Sequence, residues 1–134
     1  MALKGEKLTK HVFLSFVEED LTSVILFRGQ AKNRRSDLEF ADYSVKVPYN
    51  STDANYIRSQ IASKIKAASA TIVLIGATTS SSSWVKWEIE KSLELCNKLI
   101  GVRLSTAGST PPSLISARAT VVGWDIAKIV AELG

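Results

Sequence analysis

The sequence predicts a doubly wound α/β fold: a five-stranded parallel sheet in the flavodoxin-like order 2-1-3-4-5, with helices on both faces. Three observations predict it. Short apolar runs alternate with segments whose apolar residues recur at helical spacing, which is the mark of βαβ units. One run, Thr71-Ile-Val-Leu-Ile75, is apolar without alternation, as a strand covered on both faces must be. The chain has 134 residues, enough for one domain to bury a core and too few for two. A single domain over 1–134 is therefore expected, with 1–10 as a polar leader bearing Lys4, Lys7 and Lys10.

The elements follow in order. His11-Val-Phe-Leu-Ser-Phe16 is too short for a helix and rich in strand formers. Glu18, Glu19 and Asp20 suit a helix first turn, where the dipole favours negative charge, and Leu21, Val24 and Ile25 continue at helical spacing. A weaker strand runs through Leu38 and Phe40 within 36–43, and Pro48, Asn50, Ser51 and Asp53 break the chain. Ile57, Ile61, Ile65 and Ala68 then stripe one face of a helix. After the Thr71–Ile75 strand, the 78–83 loop ends in good N-cap residues. Val85, Ile89, Leu93 and Cys96 form the next core stripe, before a strand at 99–104. Gly108, Pro111 and Pro112 forbid a long helix in the next crossover, which leads to a strand at 119–122 and a closing helix through Ile126, Ile129, Val130 and Leu133.

Composition excludes several chemistries. The lone Cys96 cannot form an internal disulfide or a Cys-based zinc site, and the lone His11 excludes a multi-histidine metal centre and disfavours a Ser-His-Asp triad. The net charge is 17 − 13 = +4, and Arg28, Lys32, Arg34 and Arg35 form one local cluster. Without a nucleic-acid motif beside it, the cluster reads as a solvated helix end, so nucleic acid is not an expected partner. No stretch approaches the roughly 20 apolar residues of a membrane span, and no apolar export core follows the N-terminal lysines. A cytoplasmic location is expected.

In such sheets ligands sit at the carboxyl ends of the strands, which directs attention to residues 15–20, 40–48 and 76–88. The acidic turn Glu18-Glu-Asp20 would oppose the phosphate of a flavin nucleotide. The third strand ends Leu74-Ile-Gly-Ala-Thr78, without the carboxylate that a phosphorylated receiver domain requires. Neither the dinucleotide-binding nor the P-loop glycine fingerprint occurs. What remains is Ser83-Trp-Val-Lys-Trp-Glu-Ile89. Trp84 and Glu88 are i, i+4 neighbours on one helix face, rotated from the core stripe towards the strand ends. A carboxylate beside indole surface there suits a sugar or a developing cation. The plainer alternative is a surface helix with Glu88 near Lys91.

Several linked motifs weigh on that choice: a strand followed by Ser15-Phe16-x-x-x-Asp20, Phe40-x-Asp42-x-Ser44, Thr71-Ile-Val-Leu-Ile-Gly76, Ser82-x-Trp84-Val-x-Trp87-Glu88-Ile89 and Lys98-Leu-Ile-Gly-Val-Arg-Leu104. Together, over about 11–104, they resemble TIR domains, most nearly the bacterial TIR-like proteins of Thoeris anti-phage defence. The resemblance implies Glu88 as the catalytic carboxylate, and Ser15, Phe16, Asp42, Ser44 and Trp84 around a nucleotide. It implies NAD⁺ as substrate, no metal and no cofactor. The expected activity is NAD⁺ glycohydrolase or ADP-ribosyl cyclase, with the product read by a downstream effector protein. Partners would be NAD⁺ and other TIR-like domains, including copies of this chain, with Trp87 and Arg34/Arg35 as candidate exposed contacts. Two alternatives stay open: a non-catalytic TIR-like interaction module, and a related nucleoside-processing enzyme using the same carboxylate. His11, Cys96 and Trp124 read as structural, Cys96 as a buried apolar residue and Trp124 as packing under the last helix.

Overall fold

The computed structural model describes residues 9–43 and 46–134. Five parallel strands form one sheet in the order β2-β1-β3-β4-β5: β1 (Lys10–Ser15), β2 (Leu38–Ala41), β3 (Ala70–Ile75), β4 (Lys98–Arg103) and β5 (Thr120–Val122). The helices are α1 (Leu21–Arg34), α2 (Ala54–Ala67), α3 (Ser83–Glu94), α4 (Pro112–Ser116) and α5 (Ile126–Leu133). No helix among the described residues is long and apolar enough to cross a membrane.

Alternation along the central strands divides the core. Val12 and Leu14 of β1, with Ile72 and Leu74 of β3, face α1 and α5 and meet Val24, Phe27, Ile129 and Leu133. Phe13 faces the opposite side, against Ile57, Ile61 and Ile65 of α2. Val73 and Ile75 share that side, packing on Val85 and Ile89 of α3 and Leu114 of α4. All six residues of β3 are buried, as its continuous apolar run requires. The prolines leave room for only the five-residue α4 in the fourth crossover.

Three expected core positions are corrected. Ile25 is 56% exposed, because the inward stripe of α1 runs through Val24, Phe27 and Ala31 instead. Leu93 is 45% exposed, and the inward place one residue earlier belongs to Ser92. Cys96 is exposed rather than buried, because α3 has already ended and the residue takes a left-handed turn at φ 61°. Trp124 packs edge-on against Phe27 and donates its Nε1–H to Gln30, so its anchor is α1.

The basic cluster is largely paired. Arg28 meets Asp42 at 2.8 Å, Arg35 meets Asp37 at 2.6 Å, and Lys32 lies 4.0 Å from Glu39. Arg35 is thus held against Asp37, while Arg34 is exposed. Trp87 is likewise half-buried, edge-on against Trp84 with Lys91 over its ring.

The loop after β4 closes over the end of β3 at Gly108, whose φ of +81° is left-handed. A Cβ there would overlap the Gly76 carbonyl oxygen, so only glycine fits both the conformation and the space. Gly108→Ala is expected to destabilise the protein by roughly 1–2 kcal/mol from the backbone alone, and more with the clash. Urea unfolding would show it as a lowered midpoint at unchanged slope.

Candidate active site

The site is built where the sequence places it, at the carboxyl ends of β1, β2 and β3. Helix α3 supplies its acid. The Ser82 hydroxyl caps that helix by accepting from the Val85 N–H at 3.1 Å, the role the serine-rich loop predicts. Rotation of α3 is set by a hydroxyl network on its inner face. The Ser92 Oγ donates to the Glu88 carbonyl at 2.7 Å and lies 2.8 Å from the Thr71 Oγ1, which accepts from the Asn97 Nδ2 at 3.3 Å. A serine at this core position fixes the helix against β3 more specifically than a leucine would.

That rotation aims Glu88 inward. Its side chain is 0% exposed, which overturns the surface-helix alternative; Lys91 instead pairs with Glu94. The Ser15 hydroxyl, at the last position of β1, donates to Glu88 Oε1 at 2.7 Å. The Lys46 ammonium lies 3.3 Å from Oε2, an ion pair without an aligned hydrogen bond. Burial dominates the electrostatics and pushes the Glu88 carboxyl up to about 7. Lys46 and the Ser15 hydroxyl pull against it, while the charge of nearby Asp42 adds to it. The result is a carboxyl poised to change charge near neutral pH.

A cleft of about 330 Å³ opens beside this carboxyl, lined by Phe16, Glu18, Glu19, Lys46, Tyr49 and Trp84, among others. Lys46 touches both the cleft and Glu88. Residues 46–49 are strapped across the indole: Trp84 Nε1 donates to the Val47 carbonyl at 2.8 Å, and the Tyr49 ring stands edge-on to it at 5.1 Å. The Arg58 guanidinium of α2 lies 4.4 Å from the centre of the Tyr49 ring and 5.5 Å from that of Trp84, and donates to the Tyr49 carbonyl at 2.9 Å.

The structure therefore brings Glu88, Ser15, Phe16 and Trp84 together. Asp42 is close enough for Glu88 to feel its charge, but its carboxylate is held by Arg28 and does not line the cleft. Ser44 lies outside the described residues. Sequence reasoning pointed to 40–48 without singling out Lys46 or Val47, and it missed Tyr49 and Arg58. The available signal was a cation and an aromatic, Lys46 and Tyr49, flanking Pro48 in the segment that follows a strand at the ligand-binding edge.

The family model of the Thoeris protein ThsB, TIR-like domain, matches residues 13–109. The chain belongs to this family. The resemblance carried by residues 11–104 is thereby borne out, over nearly the same span. The Bacillus cereus (strain MSX-D12) protein named "Putative cyclic ADP-D-ribose synthase ThsB1" is 30% identical in an alignment of 102 positions that covers 73% of this chain and 53% of that protein. This TIR-like chain thus spans about half the length of that relative. Among solved structures, the TIR domains of the activated Roq1 resistosome, directly recognising the pathogen effector XopQ, match with a TM-score of 0.52 at 21% identity. The match covers 92% of this chain and 70% of that one, and it shows the shared fold.

Proposed function

We propose that this TIR-like domain cleaves the bond between nicotinamide and ribose in NAD⁺, in the cytoplasm, yielding ADP-ribose or a cyclic isomer. The product would be a signal in anti-phage defence, read by a downstream effector protein. The observation that carries this reading is the Glu88 carboxyl: buried, oriented by Ser15, ionising near neutrality and set beside an indole-lined cleft. The name of the Bacillus cereus relative supports the choice of substrate.

The chemistry needs few ionisable groups. The C1′–N bond breaks with its electron pair passing to the pyridinium nitrogen, so nicotinamide departs neutral and no general acid has to protonate it. Positive charge builds on the ribose, as in an oxocarbenium-like transition state. An ionised Glu88 stabilises that charge in a water-poor setting and can hold the ribose hydroxyls. Attack on C1′ by water, with loss of a proton, gives ADP-ribose; attack by a nucleophilic atom of the substrate's own adenosine half gives a cyclic isomer. Incubating the purified chain with NAD⁺ and resolving products by mass tests the reading. Free nicotinamide with an equivalent of either product is expected, and intact NAD⁺ under all conditions would sink it.

One observation favours a second reading, a non-catalytic module that assembles with other TIR-like domains. Both Glu88 oxygens are engaged and shielded in this state. The two readings meet if assembly opens the site. Turnover per molecule is then expected to rise with protein concentration, measured alongside mass by light scattering. Equal specific activity in strictly monomeric and concentrated samples would separate activity from assembly.

A further inference from the structure

Lys46 occupies the place where a cation is needed. Its ammonium stands 3.3 Å from Glu88 Oε2, its side chain is only 12% exposed, and it forms part of the wall between that carboxyl and the cleft. The strap that carries it is anchored at Val47 and Tyr49 by Trp84 and Arg58. A ligand that approaches Oε2 from the cleft past Lys46 meets this ammonium first. Resting on the reading above, we propose that Lys46 is a built-in counter-ion that favours the ionised form of Glu88 in the closed site and yields its place to the cationic ribosyl end of NAD⁺.

The exchange follows from elementary electrostatics. A carboxylate removed from water needs a positive partner or it takes up a proton. Facing Glu88 are the Ser15 hydroxyl from β1, Lys46 from the strap, and the charge of Asp42 after β2, itself paired with Arg28 of α1. Among these, Lys46 alone is a cation in contact with the carboxyl. Substrate brings its own positive charge, on the pyridinium and then on the ribose, so one cation can replace another at nearly constant local charge. Neutral ligands gain no such exchange, which gives the closed site a preference for oxidised over reduced nicotinamide.

The test compares the whole wild-type chain with Lys46→Met and Lys46→Arg. The ¹³C signal of the Glu88 side-chain carboxyl, assigned by its loss in Glu88→Gln, is titrated in each. Lys46→Met is expected to raise the midpoint by about one unit or more, and Lys46→Arg to leave it within about half a unit. The second readout is KM for NAD⁺ at about pH 9, where Glu88 is ionised in all three. Lys46→Met is expected to lower KM at least about threefold, because no internal cation must be displaced. A midpoint unmoved by Lys46→Met overturns the counter-ion. A raised KM makes Lys46 a group that binds substrate and overturns the exchange. A wild-type chain that never cleaves NAD⁺ overturns the functional reading and the exchange with it, while a shifted midpoint still upholds the ion pair.

Discussion

Glu88→Gln is expected to reduce NAD⁺ cleavage by at least about 10²–10³-fold, the usual loss when a preorganised electrostatic group is removed. Glutamine keeps the volume and can still accept from the Ser15 hydroxyl, so the hydroxyl network and the strap stay in place. It cannot supply negative charge to an oxocarbenium-like transition state. Glu90 and Glu94 are the controls: both lie on α3, both are exposed, and their glutamine variants should turn over normally. Nicotinamide release under matched conditions checks all three. Wild-type rates in Glu88→Gln would remove Glu88 from the chemistry, and equal losses in all three would indicate a general charge effect of the helix.

The second large effect is on stability and reaches the same residue without any substrate. In the unfolded chain Glu88 ionises near its ordinary value of 4.5, and in the folded protein near 7. Between these values the folded state holds a proton that the unfolded chain has released. Stability therefore falls as pH rises through that window and is lowest above it. The shift corresponds to about 3 kcal/mol. Glu88→Gln carries no titrating proton, so its stability should lack this component. Denaturant unfolding of both proteins from about pH 4.5 to 8 is expected to show wild type losing on the order of 3 kcal/mol relative to the variant. Taking the difference removes groups common to both, such as Asp20, whose partial burial also raises its carboxyl. Parallel curves would mean that Glu88 is not buried in the manner described.

Much of this was legible in the residues. Strand order, the wholly buried β3 and the short fourth crossover follow from apolar runs and prolines, which act locally. Trp84 and Glu88 share a face because i and i+4 must on a helix. What the sequence concealed is depth. An amphipathic stripe through Val85 and Ile89 gives no sign that Ser92 rather than Leu93 turns inward, and that choice carries Glu88 from the surface to full burial. The hydroxyl partners that decide it, Thr71 and Asn97, lie 21 and 26 positions apart from Ser92 and Thr71 respectively, beyond any local pattern. Lys46 was hidden for the same reason: its meaning comes from a carboxylate 42 positions along the chain (88 − 46), met only once the strap is closed over Trp84.

The measurement that bears most directly on Glu88 as the working carboxylate is the pH dependence of kcat/KM for nicotinamide release, set beside the ¹³C titration of the Glu88 carboxyl in the free protein. This rate constant reports groups of the free enzyme. A His11→Asn variant controls for the chain's one histidine, which sits exposed at the far end of β1. The expected result is a single acid limb near pH 7 that coincides with the Glu88 midpoint and survives His11→Asn. A rate constant that stays flat between pH 5 and 8 while Glu88 titrates near 7 would contradict the assignment.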